Sequence, residues 1–341
     1  MAKILARAAA FPRLRYMGSK YRLLPSLIQI FNEMSFASAL DAFSGSGVVA
    51  YALKAMGKAV AANDFLAFCS TVADATIANQ SEQLSSADVD RLLGPAADTR
   101  DFIRRTFEGL YFPNEDHEFL DSAWSHIDQF EGQKRSLAIS ALCLAAARKQ
   151  PRGVFTVTDF RYDDGRRNLR LPLREQARLT IEAYNNAVFD NGQACQAVQA
   201  DVFDLNPCGY DLVYLDPPYA PPRDDNCYIK RYHFLEGLAL YWRGVQIMEG
   251  TTTKKLEKRY TPFSYKRTVG DALSRVFEHF SDSIIVLSYS SNAVPTVQEL
   301  VTRLRRVKPR VEINEIDHRY SFGTHASAKR RRATEFVLVG K

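Results

Sequence analysis

The run Asp216-Pro217-Pro218-Tyr219 puts a carboxylate, a backbone carbonyl and an aromatic ring side by side. Each proline fixes its own φ and removes a backbone donor, so the loop is stiff and the Pro217 carbonyl points in a set direction. Two acceptors beside a ring suit a flat base whose exocyclic amino group offers two N–H donors and a π face. The run follows Leu212-Val213-Tyr214-Leu215, a short apolar stretch that reads as a buried strand. Ligand sites of open α/β sheets lie beyond the carboxyl ends of such strands.

A second constellation is Asp41-Ala42-Phe43-Ser44-Gly45-Ser46-Gly47. Glycines at a strand-to-helix turn let a ligand approach the backbone near a helix N-terminus. Ala50 stands where the strict G-x-G-x-x-G fingerprint has its third glycine. Asp64 follows 23 residues after Asp41. That is near the spacing at which an acid at the end of the next strand takes ribose hydroxyls. A third group, Arg15-Tyr16-Met17-Gly18-Ser19-Lys20-Tyr21, is uninformative alone.

These residues need a scaffold that brings distant loops together. Ser38–Phe43 reads as a strand, Val48–Met56 as a helix ended by Gly57, and Lys58–Ala62 as a second strand. This β-α-β unit predicts a parallel sheet with a right-handed crossover. From Leu66 to Asn191 the spacing is mostly helical, clearest over Ser136–Lys149, with a β-like stretch at 152–159 and a turn at 163–165. Strand character returns at Ala197–Phe203, Asp211–Leu215, Ile284–Ser288, Val307–Ile316 and Glu335–Val339, the last two as a hairpin around Gly323. The expected organisation is one α/β domain interrupted between its second and third strands.

Composition bounds the class. The chain has 341 residues, 46% hydrophobic and 25% charged, which is too apolar for a disordered protein. No apolar run is long enough for a membrane helix, and the first ten residues lack a signal-peptide core, so an intracellular protein is expected. Five scattered cysteines (69, 143, 195, 208 and 227) argue against a disulfide framework or a zinc site and fit a reducing compartment. The histidines lack metal-ligand spacing. The net charge is +6, and 11 lysines and arginines against 4 acids fall between Arg303 and Lys341. Such a balance permits a phosphate-rich partner without establishing one. Other cations that could meet DNA are Arg148, Lys149, Arg152 and Arg161 in the helical stretch, and Lys230 and Arg231 among aromatics after Tyr219.

The order Tyr16-x-Gly18-x-Lys20, Asp41-x-Phe43-x-Gly45-x-Gly47, Asp64, Asp216-Pro217-Pro218-Tyr219 resembles that of the Dam-type, alpha-class adenine-specific DNA methyltransferases. The resemblance implies a Rossmann-like α/β sheet binding S-adenosyl-L-methionine, with a mostly helical target-recognition domain inserted into it. Residues 1–65 and 196–341 would be catalytic and 66–195 the insertion. It also implies roles. Tyr16, Lys20, Asp41, Phe43, Gly45, Gly47, Asp64, Asp201 and Asp216 would line the cofactor site, and Asp216, Pro217, Pro218 and Tyr219 would bind a flipped adenine, with Tyr219 stacked on it. Expected partners are double-stranded DNA and a cognate restriction endonuclease, for a cytoplasmic monomer. Asp216 favours adenine over cytosine N4, where serine more often precedes Pro-Pro-Tyr. An RNA adenine methyltransferase and a catalytically silent DNA-binding protein remain open at this point.

Overall fold

The computed structural model describes residues 1–151, 153–156, 165–220, 227–319 and 332–341. Helices α1 (Ala2–Ala9) and α2 (Leu24–Asn32) precede β1 (Ser38–Asp41), α3 (Val48–Ala55) and β2 (Ala59–Asn63). A helical block follows: α4 (Ala67–Ala73), α5 (Ser86–Leu92), α6 (Phe102–Thr106), α7 (Asn114–Ile127), α8 (Gly132–Arg148), α9 (Arg167–Arg170) and α10 (Leu173–Ala187). The chain then forms β3 (Gln196–Val198), β4 (Leu212–Leu215), α11 (Tyr228–Leu240), α12 (Val269–His279), β5 (Ile284–Ser290), α13 (Val297–Leu304), β6 (Val311–Arg319) and β7 (Arg332–Gly340).

The seven strands lie in the order β3-β2-β1-β4-β5-β7-β6. All neighbours are parallel except β7, which runs antiparallel to both β5 and β6. The chain winds outward from β1 through β2 to β3, then returns to β4 on the other side of β1. The topological switch point is therefore between β1 and β4, where the flanking loops part and leave a crevice at the strands' carboxyl ends. Both chemistry-bearing loops leave from there: the glycine turn follows β1 and Asp216 follows β4.

Side chains alternate across each strand and feed two apolar layers. Leu212 and Tyr214 face one layer, Val213 and Leu215 the other. The second layer is built by α12 and α13, through Leu273, Val276, Phe277, Leu300 and Leu304. The first contains α1, α2, α3 and α11, and it continues without a break into α4, α7, α8 and α10. Helix α8 is buried on nearly every side from Leu137 to Ala147, as befits the central helix of a block that is apolar all round. The inserted helices thus share their core with the sheet.

Local differences from the sequence reading have local causes. The third strand stops at Val198, because the Asp201 carboxylate accepts from the Phe203 N–H (3.1 Å) and curls residues 202–204 into one tight helical turn. The stretch from Val307 enters β6 only at Val311, since Val307 and Lys308 still donate to the Leu304 carbonyl at the end of α13. Gly153–Thr156 forms no strand; Phe155 instead donates to the Arg231 carbonyl and stacks on Phe234. Arg152, residues 157–164 and the turn around Gly323 lie outside the described residues.

Candidate active site

The glycine turn is shaped by backbone demands. Gly45 and Gly47 have φ of +49° and +81°, a region costly for residues with a Cβ. A Cβ at Gly45 would also lie 2.8 Å from Cε1 of Tyr16, so the turn rests directly on that ring. Tyr16 stacks in turn on Tyr232 of α11 (4.9 Å between centroids, 9° between planes). The Met17 N–H donates to the Tyr232 hydroxyl (2.7 Å), and the Tyr228 hydroxyl donates to the Met17 carbonyl (3.1 Å). The N-terminal motif is therefore clamped by a helix more than 200 residues away.

Asp64 closes the turn from below. Its Oδ2 accepts from the Gly45 N–H (2.7 Å) and its Oδ1 from the Leu66 N–H (2.9 Å). Burial pushes its carboxyl up to about 6, against the pull of those backbone donors. Asp41 sits deeper, 1% exposed, with Oδ2 accepting from the Ala50 N–H in the first turn of α3 (3.1 Å). Burial first, then the charge of Asp216, hold its carboxyl well above the usual range. Its Oδ1 and the Ser44 hydroxyl are buried at this turn without a hydrogen-bond partner among the described residues.

The Asp216 corner is built from side chains. Lys20 donates to Asp216 Oδ1 (2.7 Å) and to the Gly18 carbonyl (3.0 Å), and lies 3.4 Å from Glu335 Oε1. The Tyr219 hydroxyl also reaches Asp216 Oδ1 (3.0 Å) and Glu335 Oε1 (2.5 Å). Both contacts to Asp216 converge on Oδ1, leaving Oδ2 with no hydrogen-bond partner among the described residues. Its side chain is 18% exposed, beside Lys20 at 2% and Glu335 at 0%. Burial raises the Asp216 carboxyl to about 6, and Lys20 opposes that rise while Glu335 adds to it. Burial would lower Lys20, but the two carboxylates outweigh it and keep the ammonium charged. The Tyr219 ring packs at a tilt on Tyr289 (4.9 Å). Its hydroxyl is committed to the two acids.

Both corners open into one cleft of about 1060 Å³, counting solvent at its mouth. Tyr16, Lys20, Asp41, Phe43, Gly45, Asp64, Asp201, Asp216, Pro217, Pro218 and Tyr219 all line it; Gly47 stands just behind, packed against Phe11. Phe43 meets Phe263 edge-on (5.1 Å), and Phe263 stacks on Phe203, forming an apolar wall. Lys20, expected at the cofactor, is aimed at Asp216. Sequence reasoning missed Phe263 and Arg259 in the lining, Tyr228 and Tyr232 as clamps, and Glu335 behind Asp216. Glu335 had a signal: one acid in the otherwise apolar run Phe336-Val337-Leu338-Val339 of a basic terminus.

The proposed DNA contacts divide. The ammonium of Lys149, expected to meet DNA, is paired with Asp116 in a nearly dry contact (10% and 7% exposed), and Asp116 also accepts from the Leu173 N–H, so the pair ties the end of α8 to α7 and α10. Arg148 is half-buried beside Tyr184, and burial draws its guanidinium down. Arg152 and Arg161 lie outside the described residues. Lys230 and Arg231 are partly exposed on the first turn of α11, next to Tyr228 and Ile229 of the cleft lining. Two histidines serve packing: His233 Nε2 meets the Phe155 carbonyl (2.7 Å) and His279 Nε2 the Leu205 carbonyl (2.8 Å).

The chain is similar to several known proteins. The Type II methyltransferase M2.HphI of Haemophilus parahaemolyticus is 26% identical over 325 residues, covering 91% of this chain and 92% of that protein. The modification methylase StsI of Streptococcus sanguinis and the Type II methyltransferase M.FokI of Planomicrobium okeanokoites are each 25% identical. This chain spans about half the length of those two, 48% and 47%. No helix among the described residues is long and apolar enough to cross a membrane. Residues 16–241, from the clamped Tyr16 to the end of α11, match one family throughout, and the RNA, cytosine and silent readings give way to it: the chain belongs to the D12 class N6 adenine-specific DNA methyltransferases.

Proposed function

We propose that the chain transfers a methyl group from S-adenosylmethionine to N6 of an adenine flipped out of double-stranded DNA, in the cleft between β1 and β4. One observation carries this reading: at the switch point, Asp216 presents an unpartnered Oδ2 to the same cleft that the glycine turn lines. The residues present fit the cofactor. The Gly45 turn has no side chain to fill its cradle, buried Asp41 Oδ1 and Ser44 Oγ lack partners there, and the Phe43–Phe263 wall is apolar. Asp64 keeps a second lone pair on each oxygen for ribose hydroxyls, and Asp201 stands at the far wall for the cofactor's adenine.

When bound, S-adenosylmethionine supplies a sulfonium methyl whose C–S bond breaks as N6 forms the new bond. The chain's part is positioning and electrostatics. Adenine's amino group is a poor nucleophile because its lone pair is delocalised into the ring. Asp216 Oδ2 and the Pro217 carbonyl would accept its two N–H groups and favour a pyramidal nitrogen with the pair freed. Lys20 keeps Asp216 ionised. The methylated ammonium is acidic and sheds its proton to Asp216 or water. None of this is possible inside a duplex stack, so the base must leave it.

In this reading residues 66–195 serve target recognition, and Lys230 and Arg231 meet the backbone beside the extruded base. The protein acts as a monomer in the cytoplasm, one adenine per event, as the modification partner of a restriction endonuclease; the Type II names of its relatives support that setting. Modified-base mapping by long-read sequencing tests the whole. DNA from a methylation-deficient bacterium expressing the protein should carry N6-methyladenine at one motif, absent with Asp216→Ala. Unmodified DNA from folded, cofactor-binding protein would refute it.

A further inference from the structure

Glu335 is a buried carboxylate that no part of the mechanism above uses. It reaches Asp216 through topology. Because β7 runs antiparallel to β5, with Glu335 opposite Ser290, the start of β7 lies at the edge where β4 and β5 end. The side chain is 0% exposed. Three donors converge on its Oε1: the Ser288 hydroxyl (3.0 Å), the Tyr219 hydroxyl (2.5 Å) and the Lys20 ammonium (3.4 Å). A carboxylate is kept in such a place only if it is paired and hydrogen-bonded.

Two of those donors are the groups that touch Asp216. Lys20 and Tyr219 each bridge from Glu335 Oε1 to Asp216 Oδ1. Glu335 gives both groups a second anchor behind Asp216. With it, both stay on Oδ1. Glu335 also raises the Asp216 carboxyl, so it bears on the pH at which Asp216 ionises.

We infer that Glu335 is a positioning residue for methyl transfer: through Tyr219 and Lys20 it fixes Asp216 with Oδ1 occupied and Oδ2 presented. The inference rests on the reading of Asp216 as the amino-group acceptor. Glu335→Gln is the test, because the amide keeps the shape and an acceptor oxygen while removing the charge. Methyl transfer is measured as tritium from S-[methyl-³H]adenosylmethionine into genomic DNA lacking N6-methyladenine, across pH 5 to 9, with cofactor affinity by calorimetry.

The expected result is unchanged cofactor affinity, a kcat lower by about ten- to a hundredfold as for a misplaced reacting group, and an acid limb of the pH–rate profile moved to lower pH. The limb moves that way because Glu335 raises the Asp216 carboxyl. Wild-type kcat and profile would overturn the inference. So would a fall in kcat with an unmoved acid limb, which would make Glu335 a packing group. If Glu335→Gln does not fold, Ser288→Ala removes one anchor of Glu335 outside the cleft lining; wild-type rates and profile there would overturn it equally. Asp216→Asn run in parallel separates the two claims. Its retained turnover would refute the role of Asp216 itself, while a dead Asp216→Asn beside a normal Glu335→Gln would refute only the inference.

Discussion

The cleft has two corners, each holding an aspartate whose carboxyl is pushed up to about 6, and they are built in opposite ways. Asp64 spends its oxygens on backbone N–H groups of Gly45 and Leu66, neighbours across one β-α-β unit. Asp216 spends one oxygen on two side chains, Lys20 and Tyr219, and those are tied to Glu335 at the far end of the sequence. The first corner is a folded turn that a carboxylate locks. The second is a charge cluster that strands from both halves of the sheet must assemble. A backbone lock resists rearrangement but has little electrostatic reach. A cluster of ionised groups in low dielectric can stabilise developing charge and is more sensitive to any single loss.

This contrast can be broken at each corner. The largest effect is expected at the second: Asp216→Ala should lower methyl transfer by a factor of about 10³ or more, with cofactor affinity within a few-fold of wild type. Retained turnover would show that the cluster is not the reacting corner. At the first corner Gly45→Ala should act on both folding and binding. The added Cβ meets the Tyr16 ring and the φ of +49° is strained, for a loss of about 1–3 kcal/mol. Thermal unfolding and calorimetric cofactor titration would read it, and wild-type values in both would show that the turn yields easily.

Asp64→Ala should weaken cofactor binding by about tenfold, as for a lost charge-assisted hydrogen bond, while kcat at saturating cofactor stays near wild type. A fall confined to kcat would contradict the division between corners. The smallest effect is the pH dependence. Cofactor binding uses ionised Asp64 and transfer uses ionised Asp216, so kcat/KM should rise as pH increases through about 6 and level off above 7. Stability runs the other way. Each folded-state pKa lies above its ordinary value, so the favourable contribution is full below about 4 and is lost as pH rises through 6. The melting temperature of Asp64→Asn should therefore fall less between pH 5 and 7 than that of wild type; an equal fall would show that Asp64 does not titrate there.

The same division separates what was legible early from what was not. Gly45, Gly47 and Asp64 could be read because a turn with positive φ leaves its residue types in one short stretch. Asp216-Pro217-Pro218-Tyr219 could be read because stiffness and acceptors are local too. The DNA contacts were poorly legible. A lysine in a line of sequence does not show whether an acid waits across a helix, and Lys149 finds Asp116 there.

By itself the sequence determined the β-α-β start, the glycine turn, the apolar strand before Asp216, and their order along the chain, which together carry the family. All of these depend on the conformational limits of neighbouring residues, which act over a few positions. Only the tertiary structure decided that β7 is antiparallel, that Glu335 thereby stands behind Asp216, that Lys20 serves Asp216, and that α11 clamps Tyr16. The Tyr219–Glu335, Lys20–Asp216 and Met17–Tyr232 bonds join residues 116, 196 and 215 positions apart. Burial and strand order set them, and neither is written in any local stretch of the chain.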